Sequence, residues 1–410
     1  MKHDHILVIR FSALGDVAMM VPVVWAAARQ YPDARFTVLS RPVARPLFED
    51  LAPNVNFMGA DVKGEYHGLK GLNALYRRLV AKQFTAVADL HNVLRSEYLR
   101  LRFNLGHYHV AHIDKHRNRR RKLVAEQPKK RREPLPSSFQ NYLDVFEHLG
   151  FPISKENLCF RSIFDSAETI TSSSLSSPSS LSSPSGLSSP SSLSGPSGLS
   201  SLSGLSSPSS LSGPSSPLPS GNLNLLPKAI GPKSSWDQWI GIAPFAAHKG
   251  KIYPVERMEE VIKSLLTRYP KARIFLFGRG KDEESVFPKW QQQYPQCLYV
   301  GKHLESMYQE LILMSHLDVM LSMDSANMHL ASLTGTPVVS VWGATHPYAG
   351  FMGWHQSEQN AVQVELDCRP CSIFGNKPCK RGDYACMNSI TPEMILEKIN
   401  RLLTKNQQEQ

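Results

Sequence analysis

The chain has 410 residues, 41% of them hydrophobic, and a formal net charge of +11. That length suffices for two domains of ordinary size, each with its own core. No apolar run approaches the roughly 20 residues a membrane-spanning helix needs, and MKHDHILVIRF at the start lacks an apolar core followed by a small-residue cleavage site, so a cytoplasmic chain is expected.

The first expected strand is 5–11, HILVIRF. It enters Ser12-Ala13-Leu14-Gly15-Asp16, after which VAMMVPVVWAAARQYP reads as one helix ending before Pro32. Further strands are expected at 36–40, 55–58 and 85–90, the last ending at His91-Asn92. Strands alternating with helical stretches indicate a parallel, doubly wound sheet. Next comes the basic segment 115–132, with ten Lys or Arg and one acid, Glu126, so the charge excess is concentrated there. Such a patch points to an anionic partner: phosphorylated lipid, a membrane surface or nucleic acid. A solvated charged loop is the plainer reading. The nearby aromatics Phe103, Tyr108 and Phe139 are not interleaved with the cations, which argues against stacking on single-stranded nucleic acid. A helix is expected over 138–149.

From 171 to 220 the composition collapses to Ser, Pro, Leu and Gly, and GLSSPSSLSGPS occurs twice, at 186–197 and 204–215. With no charge or aromatic residue and frequent helix breakers, this tract reads as a disordered expansion. Expected strands and helices resume with 238–244, 255–269, 272–277, 297–300 and 303–315. The expected organisation is therefore a Rossmann-like domain at 1–165, a linker at 166–235 and a second Rossmann-like domain at 236–410.

The most informative stretch is 321–343, LSMDSANMHLASLTGTPVVSVWG. An apolar run leads to Asp324-Ser325 at a helix N-cap position, a short helix runs to Gly335, and a second apolar run ends at Trp342-Gly343: one βαβ unit. At the end of its first strand a carboxylate, a hydroxyl, free backbone N–H groups and His329 come together, where ligands of open α/β sheets bind and where anions are favoured. A hydrogen-bonded core histidine is the alternative for His329. In FAAHKGKIYP, Lys249 and Lys251 stand in the loop after a strand, placed either to neutralise a diphosphate or simply as solvated lysines. Asp16 begins a helix, either as a proton acceptor or as a first-turn acid favoured by the helix dipole. Cys368, Cys371, Cys379 and Cys386 offer a zinc site of uncommon spacing, with packed free thiols as the alternative. No disulfide scaffold is indicated.

Taken together, S-x-x-G-D after the first strand, K-x-Y-P at 251–254, F-G-x-G, and D-S-x-x-x-H-L-A followed by a strand ending in W-G resemble glycosyltransferase family 9. That family comprises the ADP-heptose:lipopolysaccharide heptosyltransferases and their relatives. The resemblance implies a GT-B fold, two Rossmann-like domains facing a central cleft, and inverting, metal-independent transfer. It makes Asp16 the general base. Lys251, Asp324, Ser325 and His329 would bind the nucleotide-sugar donor, ADP-heptose in the family, with no cofactor. Arg117, Arg119, Arg120, Arg121 and Lys122, in the acceptor half, would suit the phosphates and acidic sugars of a lipid A core at the inner face of the cytoplasmic membrane. Nucleic acid is not an expected partner. The chain departs from the family pattern at Ala326, where glycine is usual, and at Ala246-Ala247, where hydroxyl residues are frequent. Two other readings stand beside this one: a GT-B-shaped sugar-nucleotide epimerase, and a non-enzymatic nucleic-acid binder using the basic segment.

Overall fold

The computed structural model describes residues 3–125, 132–164, 220–234 and 237–409. The expected disorder of the Ser/Pro/Leu/Gly tract therefore falls outside the described residues, apart from its last residue, Ser220.

Two parallel sheets organise the chain. The first contains β1 (His5–Ile9), β2 (Arg35–Ser40), β3 (Val55–Gly59), β4 (Ala86–Asp89) and β5 (His109–His112), in the order β3-β2-β1-β4-β5. The second contains β6 (Trp239–Ala243), β7 (Arg273–Leu276), β8 (Cys297–Tyr299), β9 (Val319–Met323), β10 (Val338–Val341) and β11 (Ala361–Val362), in the order β11-β10-β9-β6-β7-β8. Central strands such as β6 and β9 are buried along their whole length. Helices cover both faces of such sheets, so their strands read as unbroken apolar runs instead of alternating ones.

The expected doubly wound arrangement is thus borne out, with differences at specific places. The single helix expected after Asp16 is two helices, Leu14–Ala18 and Val21–Gln30. Pro22 has no N–H to continue the first helix but fits the opening turn of the second. The basic segment forms a helix of its own, Arg117–Leu123. Residues 220–234, expected as linker, pack on the second sheet: Lys233 pairs with Asp318 at 2.7 Å, Gly221 N–H donates to Ser315 Oγ at 2.9 Å, and Arg273 donates to Ile230 and Ala229 carbonyls.

The two halves share core. One buried cluster runs from Trp25 and Phe146 through Phe160 to Met328 and Trp354. Trp354 Nε1 donates to the Phe160 carbonyl at 2.8 Å, Ser138 N–H to Gly350 O at 2.9 Å, and Leu135 N–H to Tyr348 O at 2.9 Å. These contacts fix the second sheet against the first. Among the described residues no helix is long and apolar enough to cross a membrane.

Candidate active site

In open α/β sheets the ligand crevice lies beyond the carboxyl ends of the strands where the strand order reverses. In the first sheet that point is between β1 and β4, in the second between β6 and β9. The turns leaving those four strands carry Ser12 to Asp16, His91, Lys251 and Asp324. The topology therefore brings the sequence-predicted Asp16, Lys251 and Asp324 to the two switch points, with His91 beside them.

On the first side, Arg10 Nη2 lies 2.7 Å from Asp16 Oδ2, with the two side chains 8% and 23% exposed. Arg10 is itself tied to the end of β4 by donation to the Leu90 carbonyl. Asp16 Oδ2 also accepts from Ala13 N–H at 3.2 Å, and the Tyr142 hydroxyl donates to the Asp16 carbonyl at 3.1 Å. Burial works to raise the Asp16 carboxyl, but the Arg10 charge and hydrogen bond, with the Ala13 N–H, outweigh it and hold the group below its ordinary value. Asp16 is therefore ionised at neutral pH and keeps a partly open face.

His91 stands beside it. Its Nδ1 accepts from Phe11 N–H at 3.4 Å, so the neutral ring carries its proton on Nε2, which faces Ser12 Oγ at 3.3 Å. Burial, then the charges of Arg10 and Lys115, push this histidine down to about 3. A neutral His91 donating to Ser12 leaves the Ser12 hydroxyl proton free to point elsewhere.

On the second side, Lys251 Nζ lies 2.8 Å from Asp324 Oδ2, the side chains 14% and 4% exposed. The approach is off the hydrogen-bond axis, since Asp324 Oδ2 has no hydrogen bond despite the short distance. An ammonium carries three N–H donors and Lys251 is the more exposed partner, so it can also meet an incoming anion. Lys249 turns away, over the Tyr384 ring at 5.1 Å. Of the two lysines in the loop, Lys251 is the one at the cleft. Ser325 occupies the N-cap position of the helix Ala326–Leu333 as expected, but its hydroxyl faces Ser322 Oγ at 3.2 Å and makes no capping bond. The first-turn N–H groups stay available, as an anion site requires.

The two sides meet at a glycine. A Cβ on Gly15 would stand 2.7 Å from His329 Cδ2 and 3.5 Å from Ala326 Cα. Only a residue without a side chain lets the S-x-x-G-D turn approach the opposite helix this closely. His329 is buried and its Nδ1 has no hydrogen-bond partner. Burial pushes the ring down to about 4, with Lys251 adding and Asp324 and Asp16 opposing. A hydrogen-bonded core histidine would have a partner for that nitrogen, and His329 has none in this structure.

The basic residues divide. Arg120 reaches the cleft: its guanidinium sits 5.7 Å from the Phe351 ring and 5.5 Å from the Phe374 ring, and its Nε is buried without a partner. Burial lowers its pKa, and the Asp16 charge opposes that shift. Arg119 donates to the Pro134 carbonyl at 3.2 Å, and Arg117, Arg121 and Lys122 are exposed. Residues 126–131 lie outside the described part of the chain.

Cys368, Cys371, Cys379 and Cys386 carry free thiols. Among the described residues, no group of three or more His, Cys, Asp or Glu side chains is arranged to hold a metal ion. The segment instead braces the Lys251 loop. Arg369, 1% exposed, donates to the carbonyls of Trp342, Gly343, Thr345 and Val364, and a Cβ on Gly375 would stand 2.6 Å from Lys251 Cγ. Arg10, His91, Tyr142 and Arg369 were not singled out from sequence: the last three gain their roles from partners distant along the chain, and Arg10, though only six residues from Asp16, belongs to no motif.

Residues 226–381 match the family model Glycosyltransferase family 9 (heptosyltransferase). Lipooligosaccharide heptosyltransferase 2 of Campylobacter jejuni is 25% identical over 134 residues, 32% of this chain and 41% of that protein. Its Haemophilus influenzae namesake is 29% identical over 175 residues, 40% of this chain and 47% of that protein. The chain thus spans less than half the length of the curated relatives it matches. The E. coli ADP-heptose lps heptosyltransferase II superposes with a TM-score of 0.57 at 17% identity, over 98% of this chain and 99% of that one. A family 9 glycosyl transferase from Veillonella parvula gives 0.61 at 17% identity, over 99% of each. At such identities the structural matches establish the fold, GT-B. The family model meanwhile spans Lys251, Asp324, Ser325 and His329, the residues gathered at the second switch point. Residues 226–381 are thus similar to glycosyltransferase family 9, and the fold of the whole chain is that of its solved relatives.

Proposed function

We propose that this protein is a glycosyltransferase that moves a sugar, heptose from ADP-heptose, onto a lipopolysaccharide core or related glycolipid, with inversion and without a metal. The observation that carries the reading is the meeting of Asp16, from one sheet, with the Lys251–Asp324 pair and His329, from the other, across the Gly15 contact. An inverting transfer needs a base on the acceptor hydroxyl, a sugar held for in-line attack, and charge stabilisation on the departing diphosphate. Asp16 takes the proton as the acceptor oxygen bonds to the anomeric carbon. The bond from that carbon to the diphosphate oxygen breaks, and its electrons leave with the nucleotide. Lys251 and the first-turn N–H groups of Ala326–Leu333 receive that charge, and Asp324 keeps Lys251 in place until the donor arrives. His329 supplies a polar contact to the donor. Arg120, beside Asp16, faces an anionic acceptor.

The match of residues 226–381 to the family 9 model supports this reading, and neither the epimerase nor the nucleic-acid reading gains a comparable observation. The test is transfer itself: purified protein with ADP-heptose and heptose-deficient lipopolysaccharide should yield extended product and ADP. No product, and no thermal stabilisation by any nucleotide sugar tried, would end the proposal.

A further inference from the structure

The helix Leu94–Leu105 follows β4 and begins three residues after His91. Its inward face is Ser96, Leu99 and Phe103, all buried. Its outward face carries Leu94, Leu101 and Leu105, exposed by 84%, 56% and 69%. Spacings of seven and four align the three leucines in one stripe, about 16 Å long at the helical rise. The neighbouring helix Gly68–Val80 adds Leu69, 69% exposed, one turn ahead of Asn73, whose Oδ1 accepts from Arg102 at 2.6 Å. A single exposed leucine needs no explanation, but an aligned set with a second helix contributing does.

The surroundings of the ridge indicate what covers it. On its own helix Arg95 is exposed, Arg100 and Arg102 are half-buried, and Glu97 is the one acid. Lys70 and Arg77 on the neighbouring helix are exposed too. At the Leu94 end the cations continue, since Lys115 donates to the Asn92 carbonyl at 2.9 Å and the helix Arg117–Leu123 follows it. An apolar stripe within a cationic field, ending beside the turn that carries His91, matches an anionic bilayer more than a protein partner.

We infer that the Leu94–Leu105 ridge, with Leu69, docks the protein on an anionic membrane surface, its leucines in the headgroup region and Arg95 and Lys70 against lipid phosphates. This rests on the glycolipid-acceptor reading, because docking here would bring the Asp16 side of the cleft to an acceptor anchored in the same bilayer.

The experiment is cosedimentation of the full chain with vesicles of phosphatidylglycerol and phosphatidylethanolamine, and with vesicles of phosphatidylcholine alone. The wild type should bind the anionic vesicles and the triple variant Leu94→Gln/Leu101→Gln/Leu105→Gln should lose about tenfold or more in partitioning. Thermal melting should show the variant folded, with nucleotide-sugar stabilisation unchanged. Arg95→Gln/Lys70→Gln should weaken binding to anionic vesicles by a smaller factor. Equal partitioning of wild type and triple variant would overturn the inference, as would no wild-type binding to anionic vesicles. Conversion of a dimer to a monomer by the triple substitution would also overturn it, assigning the ridge to a second copy of this chain. Vesicle binding without nucleotide-sugar binding would instead overturn the proposed function and leave the docking surface standing.

Discussion

The cleft contains two aspartate–cation pairs of nearly equal length, Arg10–Asp16 at 2.7 Å and Lys251–Asp324 at 2.8 Å, and the difference between them explains the division of labour. In the first, the cation is fixed: Arg10 is 8% exposed and also holds the end of β4, while the carboxylate is the more open partner at 23%. In the second, the carboxylate is fixed, at 4% exposed, and the lysine is the more open partner at 14%. The same pairing thus presents an anion on one side and a cation on the other. In the proposed function, an acceptor hydroxyl meets the available carboxylate and a diphosphate the available ammonium.

The largest effect should come from breaking the first pair at its open end. Asp16→Asn keeps the shape but cannot take a proton, and should lower transfer by about 10²–10⁴-fold, the usual range for a positioned general base, as read by steady-state ADP release. A residual rate within a few-fold of wild type would remove Asp16 as base. Breaking the second pair should act differently. Lys251→Ala removes a charged phosphate contact, expected to weaken donor binding by about 1.5–3 kcal/mol in calorimetry. It also leaves Asp324 buried and uncompensated, so the melting temperature should fall as well. Unchanged donor affinity would show that the ammonium stays with Asp324 and does not serve the diphosphate.

The seam between the pairs can be tested by Gly15→Ala. The added methyl would meet the His329 ring at 2.7 Å, so the turn or the ring must shift. A cost of about 1–3 kcal/mol in stability is expected, with loss of transfer beyond that explained by unfolding. A fourth, gentler probe is pH. His329 is pushed down to about 4 and His91 to about 3, each primarily by burial. Their folded values lie below the unfolded value near 6.5, so the unfolded chain binds more protons and stability falls as pH drops from about 6.5 toward 4. Asp16, depressed as well, adds its loss at lower pH, below the ordinary carboxylate value. For His329 the shift corresponds to about 3 kcal/mol, so His329→Gln should flatten the melting curve against pH between 6.5 and 4. A curve unchanged in slope would show that His329 does not stay neutral in the folded protein.

Much of this arrangement could be read from the residues in order. Fully buried parallel strands leave apolar β-branched runs, and β1, β6, β9 and β10 were visible for that reason. The edge strands β5, reading HVAH, and β11, only two residues long, carry no such run. The local motifs S-x-x-G-D and D-S-x-x-x-H-L-A were legible because strand, turn and helix N-terminus are adjacent in sequence. The partners that tune them were not. His91 reaches Ser12, and Arg10 the Leu90 carbonyl, only because β1 pairs with β4, and Arg369 reaches the Trp342-Gly343 turn across 26 residues. Ala326 is now located: its Cα lies 3.5 Å from where a Cβ on Gly15 would stand, at the place where the two halves touch.

The separation of roles between the two pairs is tested most directly by the donor dissociation constant of Asp16→Asn, measured by calorimetry with ADP-heptose beside the wild type. A value within about twofold of wild type, with transfer lost, is the predicted result, because the proposed function sets Asp16 on the acceptor and Lys251 on the diphosphate. A tenfold or greater weakening of donor binding would contradict it and place Asp16 in the donor site.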